Sequence, residues 1–460
     1  MKKTLTVLLI LSFTVPLLFA GGGTDRGTTQ GGAVDMSVTR RVPQGEPVVR
    51  IDLAGYERAE IEIQWQPAPN HSMANTGNPV LVQDLTNKLQ AWIRKYPNVK
   101  VVPIGTTMNI NDNMTRLRLT AAQGNAPDLS GVDSFMMPPF KEFARDLSDL
   151  AVEYGLDVND YFPFMREEIM DGNQLKALWY TTDVRGIYYR KDLVPRPPTN
   201  ADEIISIGQS LIPRVPIPFL FQGARNEGSP TFAWGFYWSQ GADIIDSRGN
   251  MGFESGPGYN AMLEVLSFVR RTIDTGISPR TVVELGSDAN MYGHIQNGDV
   301  GMFIASSSAI TQLRVIMGQE NFDNLWGFAP YPTMRAGQRS TGMAGGWTYM
   351  VFSQEELKRR LAFELAWDIV VSDSASESYC LAGGWLPPRQ SLYQVFNHLR
   401  TDPAFFPMPE LLRAATVRPA VELYPIISTN LQIAFGEVIV GTATQEQALR
   451  NMISSIRAQQ

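Results

Sequence analysis

Cysteine is all but missing: Cys380 stands alone in 460 residues, so no intrachain disulfide can form. Histidine is scarce too, with His71, His294 and His398 the full complement. A Cys/His zinc site has too few ligands to draw on, and no metal or cofactor is expected. Charged residues make up only 18% of the chain and lean acidic, 46 Asp and Glu against 39 Lys and Arg. That balance disfavours nucleic acid and anionic membrane surfaces as partners. Gly-x-Ser-x-Gly, His-Glu-x-x-His and phosphate-loop motifs are all lacking, which removes the sequence signatures of the common hydrolases and nucleotide-binding enzymes. There is no internal repeat, and the 39 Gly and 30 Pro follow no period, against a collagen-like chain. Long apolar runs are also lacking beyond residues 5–18, and that one falls short of the roughly 20 residues a membrane-spanning helix needs.

What the N-terminus does carry is a secretory pattern. Lys2 and Lys3 precede the apolar run, and Leu18-Phe19-Ala20 before Gly21 offers a cleavage point, so 1–20 reads as a signal peptide. Leu18 is larger than the residue preferred at its place. Export to the periplasm or the extracellular space follows. Cys380 lies far from the signal, so no lipidated N-terminal cysteine is expected. Residues 21–57 are rich in Gly, Thr and Gln and read as a flexible leader. The remaining length exceeds one ordinary core, and two lobes are the natural expectation.

Alternation over 61–65 predicts a strand. Asn78-Pro79 then opens a helix with a cap residue and Pro in its first turn, its apolar stripe Leu81, Leu85, Leu89, Trp92, Ile93 and Tyr96. A strand at 99–102, a helix over 111–122 stopped at Gly124, and a strand ending near Val132 follow. Strand, helix, strand, helix, strand is the grammar of a parallel sheet with helices on its faces. Ligands bind beyond the carboxyl ends of such strands, which puts 65–70 and 132–135 on a candidate rim. Further on, a capping pattern at 199–202 precedes a helix, 217–221 is a strand, and 231–240 packs five aromatic residues into ten. Helices are expected at 259–275, 292–297 and 354–372, and a strand at 300–304 ends in a small polar loop, Ser306-Ser307-Ser308. Residues 342–347, Gly-Met-Ala-Gly-Gly-Trp, read as a flexible segment before a strand at 348–352. Gly441-Thr442-Ala443-Thr444 caps a terminal helix striped by Ala448, Leu449, Met452 and Ile456.

The stretch 178–193 has two characters. Trp179-Tyr180 precedes a polar Thr-Thr-Asp, and Ile187-Tyr188-Tyr189 then resumes as a buried strand. Asp183 either sits in a surface turn between two strands or stands at a mouth where two structural units meet.

In order, Gly124-Asn125-Ala126-Pro127-Asp128, Tyr188-Tyr189-Arg190-Lys191-Asp192-Leu193 and Asn297-Gly298-Asp299-Val300-Gly301-Met302 lead to Gly345-Gly346-Trp347. Leu386-Pro387-Pro388-Arg389 and Gly441-Thr442-Ala443-Thr444 complete the set. Together these motifs resemble extracellular solute-binding protein family 1, the maltose-binding-like sugar-binding components of ABC importers. The resemblance implies an α/β, two-lobed periplasmic-binding-protein fold of type II, with hinge crossovers and an interlobe cleft. Matched to that pattern, lobe one is 58–181 plus 346–397 and lobe two is 182–345 plus 398–460. It further implies a monomer that captures a mono- or oligosaccharide and delivers it to membrane permease subunits, without catalysis. Asp183 falls where the family has a cleft carboxylate and Trp347 where the chain returns. An aromatic residue after the 300–304 strand is replaced here by the serines.

An aromatic face suits the C–H face of a sugar, while carboxylates, amides and Arg pair with its hydroxyls. On that chemistry Trp179, Trp234, Trp347, Trp385 and Tyr424 are the candidate aromatic contacts. Asn70, Asp133, Asp183 and Arg389 are the candidate polar ones. Core packing, a turn hydrogen bond at Asp183 or a loop anchor at Arg389 would account for the same residues. Two rival functions remain. A peptide or charged metabolite would want an acid–base clamp, for which Arg185 or Arg225 with Asp183 is available. A secreted glycosidase would need two carboxylates about 5–10 Å apart.

Overall fold

The computed structural model describes residues 51–460, except 54, 57, 58, 108 and 109 and the side chain of Asn70. The expected signal, 1–20, and most of the leader lie outside the described residues. Order has set in by Ile51, inside the stretch read as leader: its side chain is buried and its N–H donates to Tyr96 Oη at 2.9 Å.

The strands in chain order are β1 (Ile61–Gln66), β2 (Val99–Pro103), β3 (Leu129–Asp133), a short hairpin of β4 (Met170–Asp171) and β5 (Gln174–Leu175), and β6 (Leu178–Arg190). Then come β7 (Ile217–Leu220), β8 (Val300–Ser306), β9 (Trp326–Ala329), β10 (Met343–Val351) and β11 (Thr416–Val417). The main order is β2-β1-β3-β10-β6-β8-β7, with β11 against β10 and β9 against β6. β1, β2 and β3 are parallel, as the alternating grammar predicts, and β10 returns antiparallel to β3.

β6 resolves the ambiguity of the 178–193 stretch. It is one strand of 13 residues rather than two strands and a surface turn. Its first half, through Val184, pairs with β10; from Arg185 onward it pairs with β8 and β9. One chain segment thus joins two sets of strands. Trp179 and Tyr180 at one end and Ile187 and Tyr188 at the other are all fully buried.

Local signals explain the helices. Asn78 Oδ1 accepts from the N–H groups of Val80 and Leu81, at 3.0 and 3.2 Å, to start Pro79–Lys95, a cap worth about 1 kcal/mol. Of the predicted stripe only Ile93 departs, at 42% exposed; it lies one position past Trp92 and has turned out of the buried face. Asn200 caps Ala201–Leu211, while Thr444 caps the terminal helix Gln445–Gln459. The helix expected at 292 begins earlier, at Asp288, behind a Ser287–Asn290 capping box. The expected 354–372 helix is Glu356–Ala366 followed by a π-turn, Trp367–Val371.

Residues 343–347, expected as a flexible lead-in, are strand: they belong to β10, where Gly345 and Gly346 pair with Asp183 and Thr182 of β6. Glycine is required there by close approach. A Cβ on Gly346 would drive into the Thr181 carbonyl oxygen and the Trp179 indole nitrogen, and one on Gly345 would come within 3.1 Å of the Arg418 guanidinium. Gly346→Val should therefore destabilise the fold by about 1–3 kcal/mol, the usual range for overpacking. Urea unfolding would show it as a lower midpoint at unchanged m-value; a neutral result would mean that β6 and β10 are not packed this closely.

Candidate functional site

Two clusters of the candidate residues form where β3, β10 and β6 run side by side. The first is organised by a residue no motif marked, Arg418, which follows β11 and is itself buried. Its Nη2 donates to Asp133 Oδ1 and its Nη1 to Glu227 Oε1, both at 3.1 Å. Its guanidinium lies 3.9 Å from the centroid of the Phe135 ring, a cation–π arrangement. Tyr424 Oη donates to the same Glu227 oxygen at 2.7 Å, Trp234 Nε1 donates to Tyr424 Oη at 3.0 Å, and Ser428 donates to the other Glu227 oxygen. Phe135 and Tyr424 meet edge to face, with centroids 5.1 Å apart. Arg418 and Glu227 thereby bring the candidates Asp133, Trp234 and Tyr424 into one network. Asp183 adjoins it, lying opposite Gly345, over which the Arg418 side chain passes.

Burial pushes the Asp133 carboxyl up to about 6, although Arg418 opposes the shift. Burial likewise raises Asp183, with Arg185 beside it acting the other way. Arg185 itself pairs with Asp288 at 3.2 Å. Asp288 also accepts from the Ser306 N–H at 3.0 Å and from Gln222. Ser306, expected in a loop, is the last residue of β8.

The second cluster is aromatic. Trp347 pairs with Asp133 across β10 and β3, so the two clusters share an edge. Trp385 stacks on His71 at 4.0 Å, and Tyr379 stacks on Trp385 at 5.2 Å. Trp347 and Tyr180 each place their rings 5.7 Å from that of His71. Tyr180 Oη and His71 Nδ1 are hydrogen-bonded at 3.1 Å, while His71 Nε2 is buried with no partner among the described residues. The chain reaches this arrangement through Gly384, left-handed at φ 77°, which ends the helix Asp373–Gly383 and turns Trp385 inward. Leu386 then exchanges two backbone hydrogen bonds of 2.9 Å with Thr182.

Two candidates are not brought to either cluster. The Trp179 indole is fully buried, donates to Thr181 O at 2.7 Å and packs edge-on against Phe164; it is a core residue. Arg389 donates to Val371 O at 2.9 Å and pairs with Asp373 at 2.6 Å, which anchors the 385–389 loop. The side chain of Asn70 lies outside the described residues. Conversely, Arg418, Glu227 and His71 escaped the sequence reading. Glu227 carried one faint signal, a carboxylate at the mouth of the aromatic run. His71 weighed only as a zinc ligand, and Arg418 stands in no motif.

Two outcomes follow. Arg418→Ala leaves the buried Asp133 and the half-buried Glu227 without their counter-ion, which should cost about 3–5 kcal/mol; Arg418→Lys, keeping the charge, should cost less in the same urea titration. Burial also lowers His71 to about 3, so its imidazole is neutral in the fold. The unfolded chain takes up a proton below about pH 6.5 that the fold refuses. The contribution of His71 is therefore present above that pH and lost as pH falls toward 3, at about 1.4 kcal/mol per pH unit. Asp133, raised rather than lowered, acts with opposite sign between 3.8 and about 6. Against wild type, His71→Phe should flatten the acid slope of unfolding free energy between pH 6 and 4. An unchanged slope would show that His71 is not held neutral.

Among the described residues no helix is long and apolar enough to cross a membrane, and no group of three or more His, Cys, Asp or Glu is placed to hold a metal ion. The architecture matches solved two-lobed proteins along most of its length. Maltose-bound MalE3 of T. maritima superposes with a TM-score of 0.73 at 20% identity, covering 87% of this chain and 100% of its own. The GacH receptor of Streptomyces glaucescens gives 0.70 at 15% identity, covering 86% and 97%. The Thermus thermophilus maltotriose binding protein, bound with maltotriose, gives 0.66 at 18%, covering 86% and 99%. The family described as bacterial extracellular solute-binding protein matches residues 79–362, well over half of the sequence and every strand from β2 to β10. The chain is a member of the bacterial extracellular solute-binding protein family.

Proposed function

We propose that this protein is the exported receptor of an ABC importer, which captures a saccharide between its lobes and passes it, chemically unaltered, to membrane permease subunits. The observation that carries the reading is the pairing of the two clusters along β3, β10 and β6. Carboxylates and a guanidinium suited to hydroxyl groups (Asp133, Asp183, Glu227, Arg418) stand beside rings suited to the C–H face of a sugar (Phe135, Tyr424, Trp347, Trp385). Fixed polar groups among aromatic walls are the composition of small-molecule sites. Support also comes from the neighbours: MalE3 holds maltose, the Thermus protein maltotriose, and a Thermotoga lettingae solute-binding protein of TM-score 0.69 holds α-D-tagatose.

The lobes proposed are 58–181 plus 346–397 and 182–345 plus 398–460, close to the switch of β6 from one sheet to the other after Val184. Closure needs no bond-making. A ligand that touches both lobes favours the closed state by its differential affinity for the two. A monomer suffices for that cycle.

Intrinsic Trp fluorescence, titrated with a panel of mono- and oligosaccharides, amino acids, peptides and polyamines, checks the reading. A saturable change with a saccharide is expected, together with roughly tenfold or greater weakening in Asp183→Ala, the loss of a charge-assisted hydrogen bond. A response to an amino acid, peptide or polyamine and to no sugar would sink the saccharide assignment. Product released from a glycoside would instead point to a hydrolase.

A further inference from the structure

His71 closes the turn Pro69–His71 that follows β1, on the carboxyl side of the sheet, where ligands bind in this architecture. Its side chain is 2% exposed and lies against four rings, those of Tyr180, Trp347, Tyr379 and Trp385. One ring nitrogen, Nδ1, is hydrogen-bonded to Tyr180 Oη. The other, Nε2, is buried and has no partner among the described residues. A buried polar atom left unpaired is costly and uncommon. A neutral imidazole offers there either a proton or a lone pair, and the network behind it decides which.

That network begins at Trp65 in β1. An indole N–H can only donate, and this one donates to Tyr349 Oη at 2.9 Å. The Tyr349 and Tyr180 side chains share a hydrogen bond in turn, with their rings stacked at 4.7 Å. Tyr180 Oη then meets His71 Nδ1 at 3.1 Å. Run from Trp65 to Tyr349 to Tyr180 to Nδ1, the chain gives every proton an acceptor. Run the other way, Nδ1–H donates to Tyr180 and Tyr180 to Tyr349. The proton of the buried Tyr349 hydroxyl is then left with no acceptor among the described residues. The first direction leaves fewer buried groups unpaired, and so costs less. It makes Nδ1 an acceptor. The imidazole, which burial keeps neutral, therefore carries its single proton on Nε2.

We infer that Trp65, Tyr349 and Tyr180 fix His71 as a hydrogen-bond donor, and that its Nε2–H donates to an oxygen of the bound ligand. A donor fixed at this point takes a hydroxyl or ring oxygen and turns away an ammonium, whose N–H groups would meet it head on. His71 is thus a selectivity residue, and Tyr180 and Tyr349 are positioning residues that act through it. The inference rests on the saccharide reading above, and its test separates the two.

Proton–nitrogen correlation spectra of the protein labelled at its three histidines read the tautomer directly, the His71 signals being those missing from His71→Phe. Wild type should show His71 protonated at Nε2 and bare at Nδ1. The Nε2 signal should move when the saccharide that binds best in the panel is added to saturation. Tyr180→Phe, which removes the donor to Nδ1, should give a mixture of tautomers. Single-position deoxy analogues of the same saccharide (those of maltose in the α-1,4 case) are then titrated calorimetrically into wild type and His71→Phe. One analogue should bind wild type about three- to tenfold more weakly than the parent sugar, the loss of one neutral hydrogen bond. His71→Phe should bind that analogue and the parent alike. A proton found on Nδ1, a tautomer unchanged in Tyr180→Phe, an Nε2 signal indifferent to a sugar that does bind, or equal deoxy losses in both proteins would overturn the inference while the saccharide reading stands. If no sugar binds at all, the saccharide reading has failed and the ligand contact falls with it.

Discussion

A strand that changes sheets halfway along its length is the constraint behind this structure. β6 is buried on both faces, so a slip of one residue would exchange Trp179 with Tyr180 and Ile187 with Tyr188 between faces packed for the other side chain. With β6 fixed, β10 is fixed too, and its glycines allow the two backbones to close around Trp179 and Arg418. The polar segment Thr181-Thr182-Asp183 is thereby held within the strand beside the change-over rather than in a surface loop. Local sequence could give this stretch no single environment because it has two.

Around that change-over the chain buries charge as well as rings. Two carboxylates on one guanidinium, with a third carboxylate alongside, contribute little net stability, since desolvation takes back most of the Coulombic gain. What such a network supplies is direction. Asp133 at the end of β3 and Glu227 at the start of the helix Gly228–Trp238 are both aimed by Arg418, and Glu227 in turn sets Tyr424 and, through it, Trp234. The side chains are held in place before any ligand arrives, so less ordering has to be repaid on binding.

Much of this was legible in the residues, and the part that was not has a physical pattern. Caps such as Asn78, Asn200 and Thr444 act within a few residues, and each lies where the sequence put it. Asp133 was expected from its place at the end of β3, Asp183 and Trp347 from the family resemblance, and the structure sets the three close together across β3, β10 and β6. Trp179 and Arg389 show the limit of that logic: an indole or a guanidinium in a motif-rich loop is spent equally well on a core or an anchor. Arg418 shows the opposite limit. Its partners, Asp133 and Glu227, lie 285 and 191 residues away in sequence, and nothing around Thr416-Val417-Arg418-Pro419 announces them. Gly345 and Gly346 misled because glycine permits flexibility but here serves close approach, a purpose visible only once Trp179 and Arg418 are in place.

The arrangement of charge and ring also bears on what kind of guest the fold can hold. A fully ionic ligand would find its natural partners engaged: Arg418 has Asp133 and Glu227, and Arg185 has Asp288. Breaking such buried pairs to form others like them gains little. Neutral hydroxyl groups ask for less. A sugar hydroxyl both donates and accepts, so it can join a network of this kind at a free lone pair or N–H, such as Arg418 Nε, which makes no hydrogen bond among the described residues, without displacing an existing partner. On the proposed reading its ring rests on Phe135, Tyr424 or Trp385 through carbon. On the saccharide reading, a site whose guanidinium groups are already engaged by carboxylates, set among indole and phenol faces, selects by hydrogen-bond geometry and ring stacking, which a polyhydroxylated neutral molecule supplies.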